Sequence, residues 1–189
     1  MSPVPQEVLD VGPDRPERSA RPGWLRPAVA VVAVLAIAVA GAAWYVDHRR
    51  RATETGELLA CVRTADQVSV PARGRVTAMA DYVRPAFREG TPPETVTGLY
   101  VLVAEAAGEA VAALEPARDR CAAVDVWPWH DGQDDVRAAA LAYLDLELGL
   151  YRASAADGAA FFASDPDLIG ARERVGAALT AIGEPGDAP

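Results

Sequence analysis

The chain has 189 residues, a formal net charge of −9 and 18 basic residues, every one of them Arg. That length holds one modest domain beside a membrane segment, and the lack of Lys excludes Schiff-base, P-loop and kinase chemistry, each of which needs a lysine amine. Residues 52–189 carry 11 Arg against 22 acidic residues, a balance that repels phosphate backbones and argues against a nucleic-acid partner.

Asn is also missing and Ile occurs three times, the usage that GC-rich codons produce, so the source reads as a high-GC bacterium. Residues 1–26, rich in Pro and charge, read as a disordered cytoplasmic tail. From Pro27 to Val46 run 20 uncharged, mostly apolar residues, about 30 Å as a helix and therefore as long as a bilayer core is thick. Trp44 and Tyr45 close the run, where amphipathic rings favour the membrane interface. "AVA" and "GAA" within it resemble cleavage sites. The run is nevertheless longer than a signal-peptide core and follows a polar leader, so the expectation is a retained single transmembrane helix embedded in the lipid bilayer. Arg15, Arg18, Arg21 and Arg26 before it balance Arg49, Arg50, Arg51 and Arg63 after it. Positive charge therefore does not orient the segment.

Residues 47–57 read as a juxtamembrane connection and residues 58–183 as a bundle of about four helices, with 184–189 a disordered tail. Helix A places Leu58, Val62, Ala65, Ala72, Val76, Met79 and Val83 on one face, interrupted by Ser69 and bent near Pro71. "TPPE" then starts helix B, with Thr91 as cap and Pro92 at the first helical position. Its stripe runs Val96, Leu99, Val103, Ala107, Ala110, Leu114, Ala117, Cys121 and Val124.

Helix C begins at Asp131, with acids in its first turn where the macrodipole favours them. "LDLELGL" alternates like a strand, but Leu141, Leu144, Leu148, Tyr151 and Ala155 keep helical spacing. Tyr143, Leu146 and Leu150 widen its apolar arc, so the helix packs against two neighbours or meets another subunit, the first reading being favoured. Helix D opens at "SDPD", capped by Asp165 or Ser164, and ends at Gly183. The fold class expected is mainly α, a single N-terminal transmembrane helix followed by an up-and-down bundle.

Three sets of residues carry candidate chemistry. His130, Asp131 and Asp134, with Asp135, have the ligand types for a divalent metal. The plainer reading, that the acids cap helix C while Trp127 and Trp129 cover the bundle end, is favoured, because His48 beside the apolar run is the only other histidine. Glu147 falls inside the apolar arc of helix C with Tyr143 and Tyr151 nearby. An unpaired carboxylate there would be a candidate ligand contact or acid, against the favoured reading of an interhelical ion pair with an Arg or of a side chain reaching out at the edge of the core. Motifs of the types GxSxG, HExxH, CxxC and GxGxxG do not occur, and no cofactor is implied.

The third set is the cysteine pair. If A and B form a hairpin turning near Thr91, residue n lies level with residue 182 minus n, which sets Cys61 opposite Cys121 and Trp127 opposite residue 55. A disulfide between the two cysteines is therefore expected. Such bonds persist outside the cytoplasm, so the pair orients the anchor with the bundle extracytoplasmic. The function expected is a membrane-anchored interaction or structural module of the cell envelope, meeting an envelope protein or a second copy through helix C. A small-ligand-sensing bundle is the alternative, and a carboxylate-dependent hydrolase comes third.

Overall fold

The structure, a computed structural model, describes residues 25–87, 92–164 and 166–183. The described residues form five α-helices and one 3₁₀ turn, and no strand occurs among them. α1 spans Leu25–Val83, the 3₁₀ turn Arg84–Phe87, α2 Pro93–Ala122, α3 Asp131–Ala156, α4 Ala160–Ala163 and α5 Leu168–Gly183. The chain divides after Tyr45 into two compact units.

In the first unit the apolar run is helical, its proline confined to the first turn. Val29, Leu35, Ile37 and Val39 are each between 59% and 73% exposed, so nothing in the described chain covers them. This helix is long and apolar enough to cross a membrane, with a mean hydropathy of 2.4 over an 18-residue window. α2 reaches 1.4 over its apolar window, but its stripe of Val103, Ala107, Ala110 and Leu114 belongs to the bundle core.

The second unit, from Val46 onward, is a helical bundle whose directions follow from its cross-links. Cys61 on α1 joins Cys121 on α2, with Cα atoms 5.2 Å apart at disulfide distance, and Glu54 meets the backbone of Trp127, so these two helices are antiparallel. Arg118–Asp145 and Glu115–Arg152 pairs run α3 antiparallel to α2. Thr55–Gln133 and Ser69–Tyr143 contacts leave α3 parallel to α1. Arg172 reaches Asp66 from α5. The broad apolar arc of α3 is thereby divided among α1, α2 and α5, and Tyr143, Leu144, Leu148 and Tyr151 are all buried.

Leu58, Val76, Val103, Leu114, Val136, Leu144 and Leu148 are fully enclosed. Each such side chain contributes about 1.5–3 kcal/mol through removal from water. Pro71 and Pro116 both sit inside continuous helices.

Several boundaries differ from the sequence reading. Residues 47–57 lie within α1, in keeping with a helix A continuous with the apolar run, and among them Glu54 is fully buried. α2 begins at Pro93 with Pro92 in the capping position, one residue later than expected, and Thr91 lies outside the described residues. α5 begins at Leu168, capped by Asp167, whose Oδ1 accepts the Gly170 amide at 2.8 Å. The cap therefore is not Ser164, and Asp165 lies outside the described residues. A Cβ on Gly170 would sit 2.3 Å from that carboxylate, so a side chain there would oblige the Asp167 carboxylate to turn. The short α4 was not foreseen. Gly158 leads into it, and a Cβ on that residue would lie 2.0 Å from the Tyr100 carbonyl oxygen, a backbone approach that only glycine permits. The terminal tails, residues 1–24 and 184–189, also lie outside the described residues.

Candidate functional site

Two buried polar clusters interrupt the core, and both join α1 to α3. The first is built on His130, the residue that precedes α3 and is fully enclosed. Its Nδ1 faces Glu54 Oε2 at 2.5 Å and its Nε2 faces Asp47 Oδ1 at 3.0 Å. Both ring nitrogens meet carboxylate oxygens, and both contacts are hydrogen bonds only when each nitrogen carries a hydrogen. Glu54 Oε1 also accepts the Trp127 amide at 3.1 Å and Arg50 Nε at 2.9 Å. Arg50 continues to the Asp125 carboxylate and lies over the Trp127 ring.

Asp47 accepts from Arg51 Nε and from Trp129 Nε1, each at 2.9 Å. The hydrogen bond from His130, followed by those from Arg51 and Trp129, holds the Asp47 carboxyl well below the usual carboxylate range. For Glu54, burial opposes ionisation, but the hydrogen bonds from His130, Trp127 and Arg50 outweigh it and leave its pKa lowered. Trp127 and Trp129 pack against each other with centroids 4.7 Å apart, while Trp129 remains 57% exposed.

The structure does not bring the candidate metal set together. His130 turns to Asp47 and Glu54 rather than to Asp131 and Asp134. Asp134 instead pairs with Arg137, and Asp131 opens α3. Among the described residues no group of three or more metal-ligating side chains is arranged to hold an ion. The physical reason is register: the loop before α3 delivers the imidazole inward, while residues 131 and 134 start the helix on its outer side, where both are exposed.

The second cluster contains the three residues singled out on α3. Glu147 is fully buried, and Arg73 Nη2 donates to its Oε1 at 2.9 Å. Tyr151 donates to the same oxygen at 3.2 Å and Ser69 Oγ donates to Oε2 at 2.7 Å. Tyr143 OH stands 3.0 Å from Ser69 Oγ and accepts from Arg73. Burial, then the charge of Glu147, pushes the Tyr151 phenol up. Burial disfavours the Arg73 cation, yet its bonds to Glu147 and Tyr143 raise its pKa on balance. Both oxygens of Glu147 are occupied, and the carboxylate forms an interhelical ion pair with Arg73, the first of the two plain readings, and does not reach out at the edge of the core. The Nε of Arg73 is buried without a partner, the one imperfect contact in the network.

Beside Tyr143 lies a cleft of about 120 Å³ between α1, α3 and α5. Val62, Ala65, Leu144, Val175 and Leu179 form its walls, with Asp66 and Arg172 among its polar lining. On the opposite side of α3, Leu146 is 39% exposed and borders a shallow groove with Gly149, Leu150 and Ala153.

Sequence reasoning missed Asp47, Arg50, Glu54 and Arg73. A signal for Glu54 existed, because it stands four residues before Leu58 and extends the buried stripe through Cys61, Ala65 and Ser69. Ser69, noted as an interruption of that stripe, is the hydroxyl that Glu147 engages. The hairpin register foresaw the level at which Trp127 meets Glu54. Comparison with known proteins finds no matching family model, no matching curated protein and no matching solved structure.

Proposed function

We propose that this chain is a single-pass membrane protein of the bacterial cell envelope whose acidic helical bundle is displayed outside the cytoplasm as an interaction or structural module. The observation that carries the reading is the pairing of Cys61 with Cys121 in a chain that also has an exposed apolar helix. Disulfides persist in oxidising compartments, and an uncovered apolar helix of this length calls for lipid. The engaged state of both buried carboxylates supports a structural role for them over the hydrolase reading. The partner-facing surface in this proposal is the side of α3 around Leu146, where an apolar side chain borders a groove.

The test is to shave intact cells with protease and recover the chain from their membranes with free thiols blocked. Loss of the bundle from intact cells and a linked Cys61–Cys121 peptide support the proposal. A protected bundle with two alkylated thiols overturns it. Outer-surface cross-linking with wild type and a Leu146→Glu variant then identifies a partner by the adduct that the variant loses.

The cleft beside Tyr143 favours a second reading, a bundle that senses a compact, largely apolar ligand. Saturable binding of such a compound, abolished by filling the cleft with Ala65→Phe while the fold is retained, would support it.

A further inference from the structure

We propose that the cleft between α1, α3 and α5 binds a small aliphatic α-amino acid of the size of leucine, its side chain between the helices and its ammonium and carboxylate at the Asp66–Arg172 pair. The proposal deepens the ligand-sensing reading and rests on it. All three walls belong to the second unit. Each wall gives up volume at one position, Ala65 on α1, Ala140 on α3 and Gly176 on α5, and the space they border is about 120 Å³. A Cβ on Gly176 would meet nothing within 4 Å, so no neighbouring atom demands glycine there.

The lining fixes the class of ligand. Val62, Leu144, Val175 and Leu179 offer only carbon, and the Tyr143 hydroxyl is engaged by Ser69 and Arg73, so the interior suits an apolar tail. A cavity of about 150 Å³ takes benzene, so a branched tail of about four carbons fits this smaller space. Among the described residues that line the cleft, only Asp66 and Arg172 are charged. They stand 3.5 Å apart and each is about half exposed, a pair that contributes little to the fold and can exchange partners. Nearby, Arg73 is held by Glu147 and Arg174 by Asp167, so the cleft presents one cation beside one anion. In a free α-amino acid the ammonium and the carboxylate share one carbon, and inserting them replaces one long contact with two charge-assisted ones. A peptide end carries only one of the two groups.

The test titrates the full chain in lipid nanodiscs with L-leucine and with isoamyl alcohol, isoamylamine and isocaproate, which keep its tail and lack one or both charges. Binding is read from the methyl resonances of Val62 and Leu179, which report on the cleft itself. L-leucine is expected to bind at least about tenfold more tightly than each of the other three, since each forgoes a charge-assisted contact. Asp66→Asn and Arg172→Gln should each weaken leucine by a similar factor while isoamyl alcohol binds as before, which separates a lost contact from a lost fold. Alcohol bound in the cleft with leucine no tighter overturns the proposal and leaves the ligand-sensing reading standing. Amine or carboxylate bound as tightly as leucine also overturns it, because one charge then suffices. If neither leucine nor the alcohol moves those methyls, the proposal and the reading beneath it both fall.

Discussion

Replacing His130 by Gln removes the imidazole that stands between two carboxylates and leaves fully buried Glu54 facing an amide. Breaking one side of a buried pair costs about 3 kcal/mol, because the remaining charge stays desolvated. Urea titration of the variant checks this. The same cluster sets a pH dependence. Asp47 and Glu54 both have pKa values lowered in the folded state, so near pH 4 the unfolded chain binds more protons than the folded one. Their stabilisation is complete above about pH 5 and is lost as the pH falls through about 4 and below. The urea midpoint should fall over that window in the wild type and fall less steeply in the His130→Gln variant; equal slopes would show that the cluster does not control acid stability. At the second cluster, Arg73→Met strands the Glu147 carboxylate and is expected to cost about 2–3 kcal/mol. Adding Glu147→Met should restore at least about 1 kcal/mol of that loss, a coupling that a double-mutant cycle measures.

Element ends and faces are where the sequence was read least well. Proline and the run of small polar residues announced that α5 starts near residue 166, but Ser164, Asp165 and Asp167 are all suitable caps by type. Among the described residues it is Asp167 whose carboxylate accepts the third amide of the helix. Asp167→Ala should therefore destabilise the bundle by about 1 kcal/mol, read as a lower thermal midpoint, whereas Ser164→Ala should leave it unchanged. On α3, Leu150 packs against the core while Leu146 is partly exposed. Leu146 is therefore the position at which the proposed contact can be probed without disturbing the core. Leu146→Glu is expected to change stability by less than about 0.5 kcal/mol while abolishing association of the detergent-solubilised full chain, measured by light scattering with the wild type as reference. A monomeric wild type would rule out self-association through this face.

At the scale of the molecule, the second unit is tied at one level by Cys61–Cys121 and by the His130 cluster a few residues further toward the start of the bundle. Closing a loop with 60 residues of separation restricts the unfolded chain and stabilises the fold by about 4 kcal/mol in the chain-entropy model. Reduction under native conditions, or Cys61→Ala with Cys121→Ala, should lower the unfolding free energy by an amount of that order while the helical content persists. Loss of the fold on reduction would instead make the bond a condition of folding, as in small domains whose core alone is insufficient.

Helix content, the apolar first segment and the pairing of the cysteines were legible in the chain because each depends on local periodicity or on a simple register. Apolar residues at steps of three and four mark a face, and two long helices joined by a short connection have one antiparallel alignment that levels residue 61 with residue 121. The polar clusters follow no such rule. Asp47, Glu54 and His130 are far apart in sequence, and neither the spacing of charges along α1 nor the composition of the loop before α3 says which nitrogen meets which oxygen. Glu147 illustrates the same division. Its place on a buried face follows from the 3.6-residue period, whereas its partners Ser69 and Arg73 depend on α3 lying parallel to α1 at a particular offset. That offset is settled by packing among four helices at once, since the apolar stripes allow several alignments a helical turn apart and the buried charges accept only the one in which every carboxylate oxygen finds a donor.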